Sequence, residues 1–348
     1  MSFQSTAIRA LRFPVLIADI GGTNARFALV SDAHAATQVF GRTDTGAFPG
    51  FTEAASRMAL DKTSLLPRTA VLAVAGPVTG DRIPLTNADW VIEPNRLLDE
   101  LGLETVIVLN DFEAQALALP GLEGDDLQAI GGGTALDYGA KVVVGPGTGL
   151  GAAAMVHAQD TWIPIPGEGG HVELGPVSDD DARIWPFIER QEGRIGAERI
   201  ICGAGLLRLA RAVAKADGAE RDFASPAEVT KAADGGDDVA RHTMDVFARA
   251  LGRVSGDFAL TFLARGGVFL AGGIPPKIGR YLTSGPFREA FEAKAPHSAL
   301  MKTIPTYLVR HENPALEGLA SFARTPSLFA VELSGRKWER PVQGRATG

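Results

Sequence analysis

Chemistry in this sequence is concentrated in two glycine-rich turns, one Asn-Asp pair and a few acids set on glycine loops. Asp19-Ile20-Gly21-Gly22-Thr23-Asn24 follows the apolar run Val15-Leu16-Ile17-Ala18. Paired glycines let successive backbone N–H groups converge on an anion, and Thr23 and Asn24 add donors. An Asp among those donors suits a hydrated Mg²⁺ that bridges phosphates; taken alone, an ordinary Gly-Gly hairpin serves as well. Gly145, Gly147, Gly149 and Gly151 alternate in a second turn that includes Thr148. There Gly147-x-Gly149-x-x-Ala152 also fits a dinucleotide fingerprint, which demands a helix directly after the turn. The prolines of Ile163-Pro164-Ile165-Pro166 forbid a continued helix, so a hairpin fits better.

Asn110-Asp111 closes the apolar run Thr105–Leu109 just before a helical pattern. The pair can cap that helix, and a carboxylate at the C-terminal end of a strand also stands where open α/β sheets bind ligands. Gly167-Glu168-Gly169-Gly170-His171 puts a carboxylate and an imidazole on one loop, and Glu198 lies in Gly196-Ala197-Glu198-Arg199. Such groups accept or exchange hydrogen bonds with hydroxyls, which suits a sugar. The run Asp179-Asp180-Asp181 resembles a metal site, but Ser178 three positions before Asp181 reads better as a capping box at a helix N-terminus.

Positioning these groups requires strands alternating with helices. Val15–Ala18, Ala70–Ala75, Thr105–Leu109, Lys141–Val144 and Val268–Ala271 read as strands. Phe51–Leu60, Phe112–Leu119, Asp179–Glu192, Leu206–Lys215 and His242–Leu263 read as helices. In the last helix Met244, Phe247, Leu251, Val254 and Phe258 share one face, while Gly252, Gly256 and Ala259 would admit another backbone. The alternation gives an α/β fold. Asp19–Val30 can be laid on Gly145–Val156, each a strand, a glycine turn and a second short apolar run, which implies two domains of like topology if the echo is not chance. Gly121–Asp126 and Gly131–Gly133 lie between the halves, and the basic tail from Arg336 has little apolar pattern and is expected to fray.

Composition removes other classes. The 34 Lys and Arg against 41 Asp and Glu give a net charge of −7, which opposes general nucleic-acid binding. The single cysteine, Cys202, permits neither an internal disulfide nor a Cys-based zinc site and reads as a buried structural thiol. The run Phe13–Ala18 is short and ends at Asp19, so it makes a poor signal peptide, and no apolar stretch reaches the roughly 18 residues of a membrane span. A soluble, cytoplasmic protein is expected. The 41 glycines and 21 prolines are in excess and have no period of three, so they belong to turns and close backbone approaches.

The ordered set Asp19–Arg26, Asn110-Asp111, Gly145–Gly151, Pro166–His171, Gly196–Arg199 and Phe269–Ile274 resembles the bacterial glucokinase family, the branch of actin-like, hexokinase-like sugar kinases without a zinc site. The likeness runs from about residue 14 to about residue 323. It includes Asn87-Ala88-Asp89-Trp90 and His311-Glu312-Asn313-Pro314, and no cysteine-rich motif follows Glu168 as it would in the zinc-containing branch. The resemblance implies two ribonuclease-H-like domains around an interdomain cleft: residues 1–121 with about 312–330 as the smaller, 122–311 as the larger, and 331–348 a tail of unknown role. It implies that Ala18, Asp19, Ile20, Gly21, Gly22 and Thr23 form the first phosphate loop and Gly147, Thr148 and Gly149 belong to the second. Gly272 and Gly273 would meet adenosine, and Asp19 would hold Mg²⁺ through water. Asn110, Asp111, Glu168, His171 and Glu198 match the glucose-binding residues, and Asp111 the catalytic base. ATP as phosphoryl donor, glucose 6-phosphate as product and a homodimer are further implications. Another hexose or an amino sugar is the nearest alternative substrate. A nicotinamide-dependent oxidoreductase or a sugar-sensing regulator is more distant. Pro275-Pro276 and the segment after Phe322 depart from the family pattern.

Overall fold

The computed structural model describes residues 10–86 and 88–341. Fourteen strands form among them: β1 (Val15–Ile20), β2 (Asn24–Val30), β3 (Gln38–Asp44), β4 (Thr69–Val74), β5 (Ile83–Pro84), β6 (Val91–Ile92), β7 (Thr105–Asn110), β8 (Leu127–Gly131), β9 (Lys141–Pro146), β10 (Leu150–Ala158), β11 (Thr161–Gly167), β12 (Gly267–Leu270), β13 (Thr306–Val309) and β14 (Lys337–Glu339). One six-stranded sheet runs β14-β7-β4-β1-β2-β3 and another β11-β10-β9-β12-β13-β8. β1 pairs antiparallel with β2 and parallel with β4, and β4 pairs parallel with β7. The second sheet repeats the scheme, with β9 antiparallel to β10 and parallel to β12, and β12 parallel to β13. The echo between Asp19–Val30 and Gly145–Val156 is therefore structural: each segment is the first turn and return strand of a like-ordered sheet.

The chain divides into two units. One comprises the described residues of Met1–Gly121, His157–Ile165 and Glu312–Gly348, the other Leu122–Val156 and Pro166–His311. β1, β4 and β7 are apolar almost throughout, and residues of both faces are buried, as in strands covered on both sides. The first core gathers Leu16, Ile20, Phe27, Leu72 and Val108, with Trp90 buried beside them and its indole N–H donating to Phe48 O at 2.9 Å. Asn87, at the head of the Trp90 motif, lies outside the described residues. The second core gathers Val142, Val144, Leu206, Phe247, Leu251 and Leu308. Fully burying side chains of this size contributes about 1.5–3 kcal/mol each.

The helix Asp238–Thr261 presents Met244, Phe247, Leu251 and Val254 to that core. Its Gly252 lets the backbone of Phe287 in the helix Pro286–Glu292 come closer than any side chain would allow. Asp237 caps this helix, its side chain accepting from Ala240 N–H at 2.9 Å. Cys202 is buried as expected and also caps: its Sγ accepts from Gly205 N–H at 3.2 Å, so the helix Gly203–Ala216 starts before Leu206.

Two expectations need correction. The helix expected over Asp179–Glu192 ends at Ile184 and tightens into a 3-10 turn over Trp185–Phe187, because Pro186 has no N–H with which to continue it. The chain from Arg336 does not fray within the described residues. β14 pairs antiparallel with β7, Lys337 opposite Ile107 and Glu339 opposite Thr105, and Trp338 packs on the first core while donating to Asp81 Oδ1 at 2.7 Å.

Within the first unit the helix Pro314–Arg324 lies against the helix Asp111–Ala118. Gly318 faces the carbonyl of Ala114 so closely that an added Cβ would collide with it. An exposed helical Gly→Ala change stabilises by up to about 1 kcal/mol; here the sign reverses. Gly318→Ala should destabilise by about 1–3 kcal/mol through overpacking, measured as a lower urea midpoint, and an unchanged midpoint would show that the two helices are not locked at this point.

Candidate active site

In the first unit, strand register gathers the expected residues at one sheet edge. Ile20 stands opposite Val74 and Val74 opposite Asn110, so β1, β4 and β7 end together. The turn Gly21–Thr23 leaves β1 there and Asn110-Asp111 leave β7 there. Between them, Ala75 N–H donates to Ile20 O at 3.1 Å, and the Asn110 side-chain amide donates to Gly76 O at 3.3 Å. The turn is pinned by Gly21 N–H to Asn24 O at 2.9 Å and Thr45 N–H to Thr23 O at 3.0 Å. The Asn24 side-chain amide donates to Thr23 Oγ1 at 3.0 Å.

Asn110 is the cap that its position allows: its Oδ1 accepts from Phe112 N–H at 2.9 Å and Glu113 N–H at 3.3 Å. Asp111 is the first helical residue, half-buried, with its Oδ1 3.0 Å from the Phe112 amide. A carboxylate at this end of a helix is favoured by the exposed N–H dipoles. Asp19, largely buried, accepts from Arg26 Nη1 at 2.9 Å across the hairpin. Burial pushes the Asp19 carboxyl upward, and Arg26 opposes without cancelling it. Arg26 was not legible as this partner until Asp19 and Arg26 were found directly opposite one another on β1 and β2. Gly76 is a second group that sequence reading passed over, although a Gly-Pro step directly after a buried strand was the available signal.

In the second unit, the arrangement centres on Leu150. Its N–H donates to Glu198 Oε2 at 2.8 Å. Its carbonyl lies so close to Gly170 that an added Cβ there would collide with it, while Gly169 packs on Phe258 and Ala152. The second glycine turn, the Gly167–His171 loop and Glu198 are thus brought together at the start of β10. Ala197 N–H to Val172 O at 2.8 Å holds the Glu198 segment against the same loop. Glu168 and His171 expose their side chains, with Oε2 and Nε2 3.8 Å apart. Within the turn Gly147 N–H donates to Gly149 O at 2.8 Å, and Gly147 O accepts from Gly203 N–H at 2.9 Å at the head of the helix Gly203–Ala216. Gly272 has φ of +82°, a conformation natural to glycine, and lies against Gly145 and Pro146. Ile274 N–H to Pro146 O at 3.1 Å completes that contact. Thus Gly147, Thr148 and Gly149 share an edge with Gly272 and Gly273.

Ser178 is the cap that the sequence indicates, its Oγ accepting from Asp181 N–H at 3.1 Å, and Asp179–Asp181 form the first helical turn. Asp180 and Asp181 also join a cluster of ion pairs. Asp180 meets His242 at 2.9 Å and Arg249 at 2.6 Å, and Asp181 meets Arg253 at 3.3 Å. Burial acts upward on Asp180, but hydrogen bonds from His242, Arg249 and Arg183 outweigh it and hold the carboxyl at about 2. Burial likewise acts to lower His242, and Asp180 and Asp217 outweigh it, so the imidazole is raised.

The glucokinase family, described by that name, matches residues 16–326. A glucokinase of Rhizobium meliloti (strain 1021) is 57% identical, the match covering 94% of this chain and 97% of the relative. A glucokinase of Chelativorans sp. (strain BNC1) is 51% identical over 97% of this chain and 99% of its own length. The chain belongs to the glucokinase family. The crystal structure of a glucokinase from an Antarctic psychrotroph superposes with a TM-score of 0.79 at 32% identity, covering 89% of this chain and 98% of that one. A glucokinase of Balamuthia mandrillaris solved with glucose gives 0.75 at 21% identity, covering 92% and 95%, and so speaks to the fold. The glucokinase fold, mixed α/β with two domains of the actin-like ATPase class, is the one the family resemblance implies, and its α/β character is the one the alternating strands and helices indicate. Among the described residues no helix is long and apolar enough to cross a membrane.

Two outcomes test the second-unit geometry. Gly170→Ala, which sets a Cβ against backbone, should cost about 1–3 kcal/mol. Gly149→Ala meets only the Glu198 carboxylate at 2.5 Å, which can turn aside, so its melting temperature should fall less. Equal losses in the two variants would contradict the close approach at Leu150. The His242 cluster gives a pH signature. A raised His pKa contributes stability below its ordinary value near 6.5 and loses it as pH rises through the folded value. Asp180 contributes above the ordinary carboxylate range and loses its contribution only as pH falls toward about 2. His242→Gln should therefore lower the melting temperature more at about pH 5.5 than at about pH 8.5; a pH-independent difference would show that the imidazole is not charged in this cluster.

Proposed function

We propose that this glucokinase transfers the γ-phosphoryl group of ATP to the 6-hydroxyl of D-glucose, with Asp111 as the base. The observation that carries the residue assignment is the Asp111 carboxylate, placed at the C-terminal end of β7 and at a helix N-terminus, on the sheet edge that also holds the first glycine turn. In this reading Asp111 accepts the proton of the 6-hydroxyl as its oxygen bonds to the γ-phosphorus. The bond from that phosphorus to the β–γ bridging oxygen breaks, and ADP leaves with the electron pair. A positioned base of this kind contributes about 10²–10⁴-fold, roughly 3–5 kcal/mol of barrier.

Phosphoryl transfer otherwise depends mainly on alignment and on stabilising negative charge. The turns Ala18–Thr23 and Gly147–Gly149 would meet the phosphates through the turn N–H groups other than those of Gly21 and Gly147, which close the hairpins, and Gly272 and Gly273 would border the adenosine. Asn110, Glu168, His171 and Glu198 orient the sugar hydroxyls. The chemistry that Mg²⁺ supplies with a bound nucleotide is neutralisation of phosphate charge. Asp19, a carboxylate held in place by Arg26, would be the residue to hold the hydrated ion. A homodimer and a cytoplasmic location, both implied by the resemblance, belong to the same proposal.

Asp111→Asn should bind glucose within a few-fold of the parent while kcat falls at least about a hundredfold; near-normal turnover rejects the assignment. Glu168→Gln and Glu198→Gln should raise KM for glucose and leave KM for ATP unchanged, and the reverse pattern would move these residues to the nucleotide. ADP release measured across glucose, mannose, fructose, glucosamine and N-acetylglucosamine should be fastest with glucose, and a faster rival would replace it as the substrate.

A further inference from the structure

We propose that Arg336, on the C-terminal segment that adds β14 to the first sheet, is a positioning residue for Asp111, acting through an ion pair with buried Glu113. The proposal rests on the reading of Asp111 as the base. Glu113 lies two residues after Asp111 in the first turn of the same helix, and its side chain is wholly buried. Its Oε2 accepts from Arg336 Nη1 at 2.6 Å, while its Oε1, also buried, has no hydrogen-bond partner. Its backbone N–H is held by Asn110 Oδ1. Glu113 thus joins the cap of the Asp111 helix on one side to the C-terminal segment on the other.

Arg336 is itself fixed. Its Nη2 donates to the carbonyl of Glu332, its N–H donates to Leu333 O at 3.0 Å, and its carbonyl accepts from Val108 N–H at 3.0 Å on β7. The following residues pair with β7 back to Thr105, and Arg340 N–H donates to Glu104 O at 3.0 Å. The Asp111 helix is also gripped at Ala114 by Gly318. Asp111 therefore sits on a helix held by two separate segments.

Stability alone does not account for the pair. Burial pushes the Glu113 carboxyl upward, and Arg336 offsets this only in part. Replacing a buried ion pair by well-packed apolar side chains is often neutral or stabilising. What apolar side chains do not supply is a directed bond that sets the register of the helix turn against the strand. Displacements of about 1 Å at a reacting group can cost 10²-fold in rate.

The decisive variant is therefore the double replacement Glu113→Leu with Arg336→Met, measured in the full chain beside Arg336→Lys and Asp111→Asn. The double variant should keep a melting temperature close to the parent and an unchanged KM for ATP while kcat falls about tenfold or more. Arg336→Lys, which keeps the charge and loses the fork, should fold and recover part of that kcat, and it decides the matter if the double variant does not fold. Wild-type kcat in a folded double variant, or in Arg336→Lys where the double variant is unfolded, overturns the positioning role. If Asp111→Asn turns over normally, the reading of Asp111 fails. If Asp111→Asn is crippled while the double variant is not, only the Arg336 proposal fails.

Discussion

Backbone atoms approach one another in this protein at places where no Cβ could stand, and the candidate site depends on those approaches. At Leu150 the carbonyl is pressed on Gly170 while the N–H is taken by Glu198. A single residue thereby ties a glycine turn, the Gly167–His171 loop and a carboxylate into one arrangement. A side chain at position 170 would separate these parts regardless of how well each was formed alone. The glycine excess of the composition is in part the record of this requirement.

In the first unit the candidate residues are gathered by parallel strands that end in register. Ile20, Val74 and Asn110 are aligned because β1, β4 and β7 pair without offset. Whatever leaves those strands is delivered to the same edge. Asn110 gives its side-chain oxygen to the helix and its amide to Gly76, so it serves as a rigid bracket beside Asp111. Capping and ligand binding, which compete as readings of the Asn-Asp pair, are compatible: the Asn110 oxygen caps the helix while its NH2 group has a second hydrogen beyond the one given to Gly76, and Asp111 is the neighbour thereby held in place.

Much of this is legible in the sequence. The buried strands are short apolar runs, the two turns carry their glycines, and Ser178 stands where a cap is needed. Local signals sufficed because each of these features is decided within a few residues. What was illegible depends on partners far along the chain. The sequence around Lys337–Glu339 has no apolar run, and it becomes a strand only because β7 presents an unpaired edge and Glu113 presents a buried charge. The expected helix beyond Ile184 failed for the opposite reason: a periodic pattern outweighed the plain local signal of Pro186. The pairing of Asp19 with Arg26 required the hairpin register, which the turn residues alone did not specify.

The separation between Glu113 and Arg336, 223 positions, has a consequence for how the molecule is made. During synthesis β7 and the Asp111 helix leave the ribosome long before the segments that clamp them. Until Pro314–Arg324 and β14 appear, the edge of β7 carries open N–H and C=O groups and the Glu113 carboxylate lacks its cation. The first unit begun is thus the last completed, and the intervening 122–311 region has the opportunity to fold while its predecessor is still unfinished. Chaperone demand on the nascent chain should accordingly centre on the exposed β7 edge rather than on the larger, nearly continuous unit.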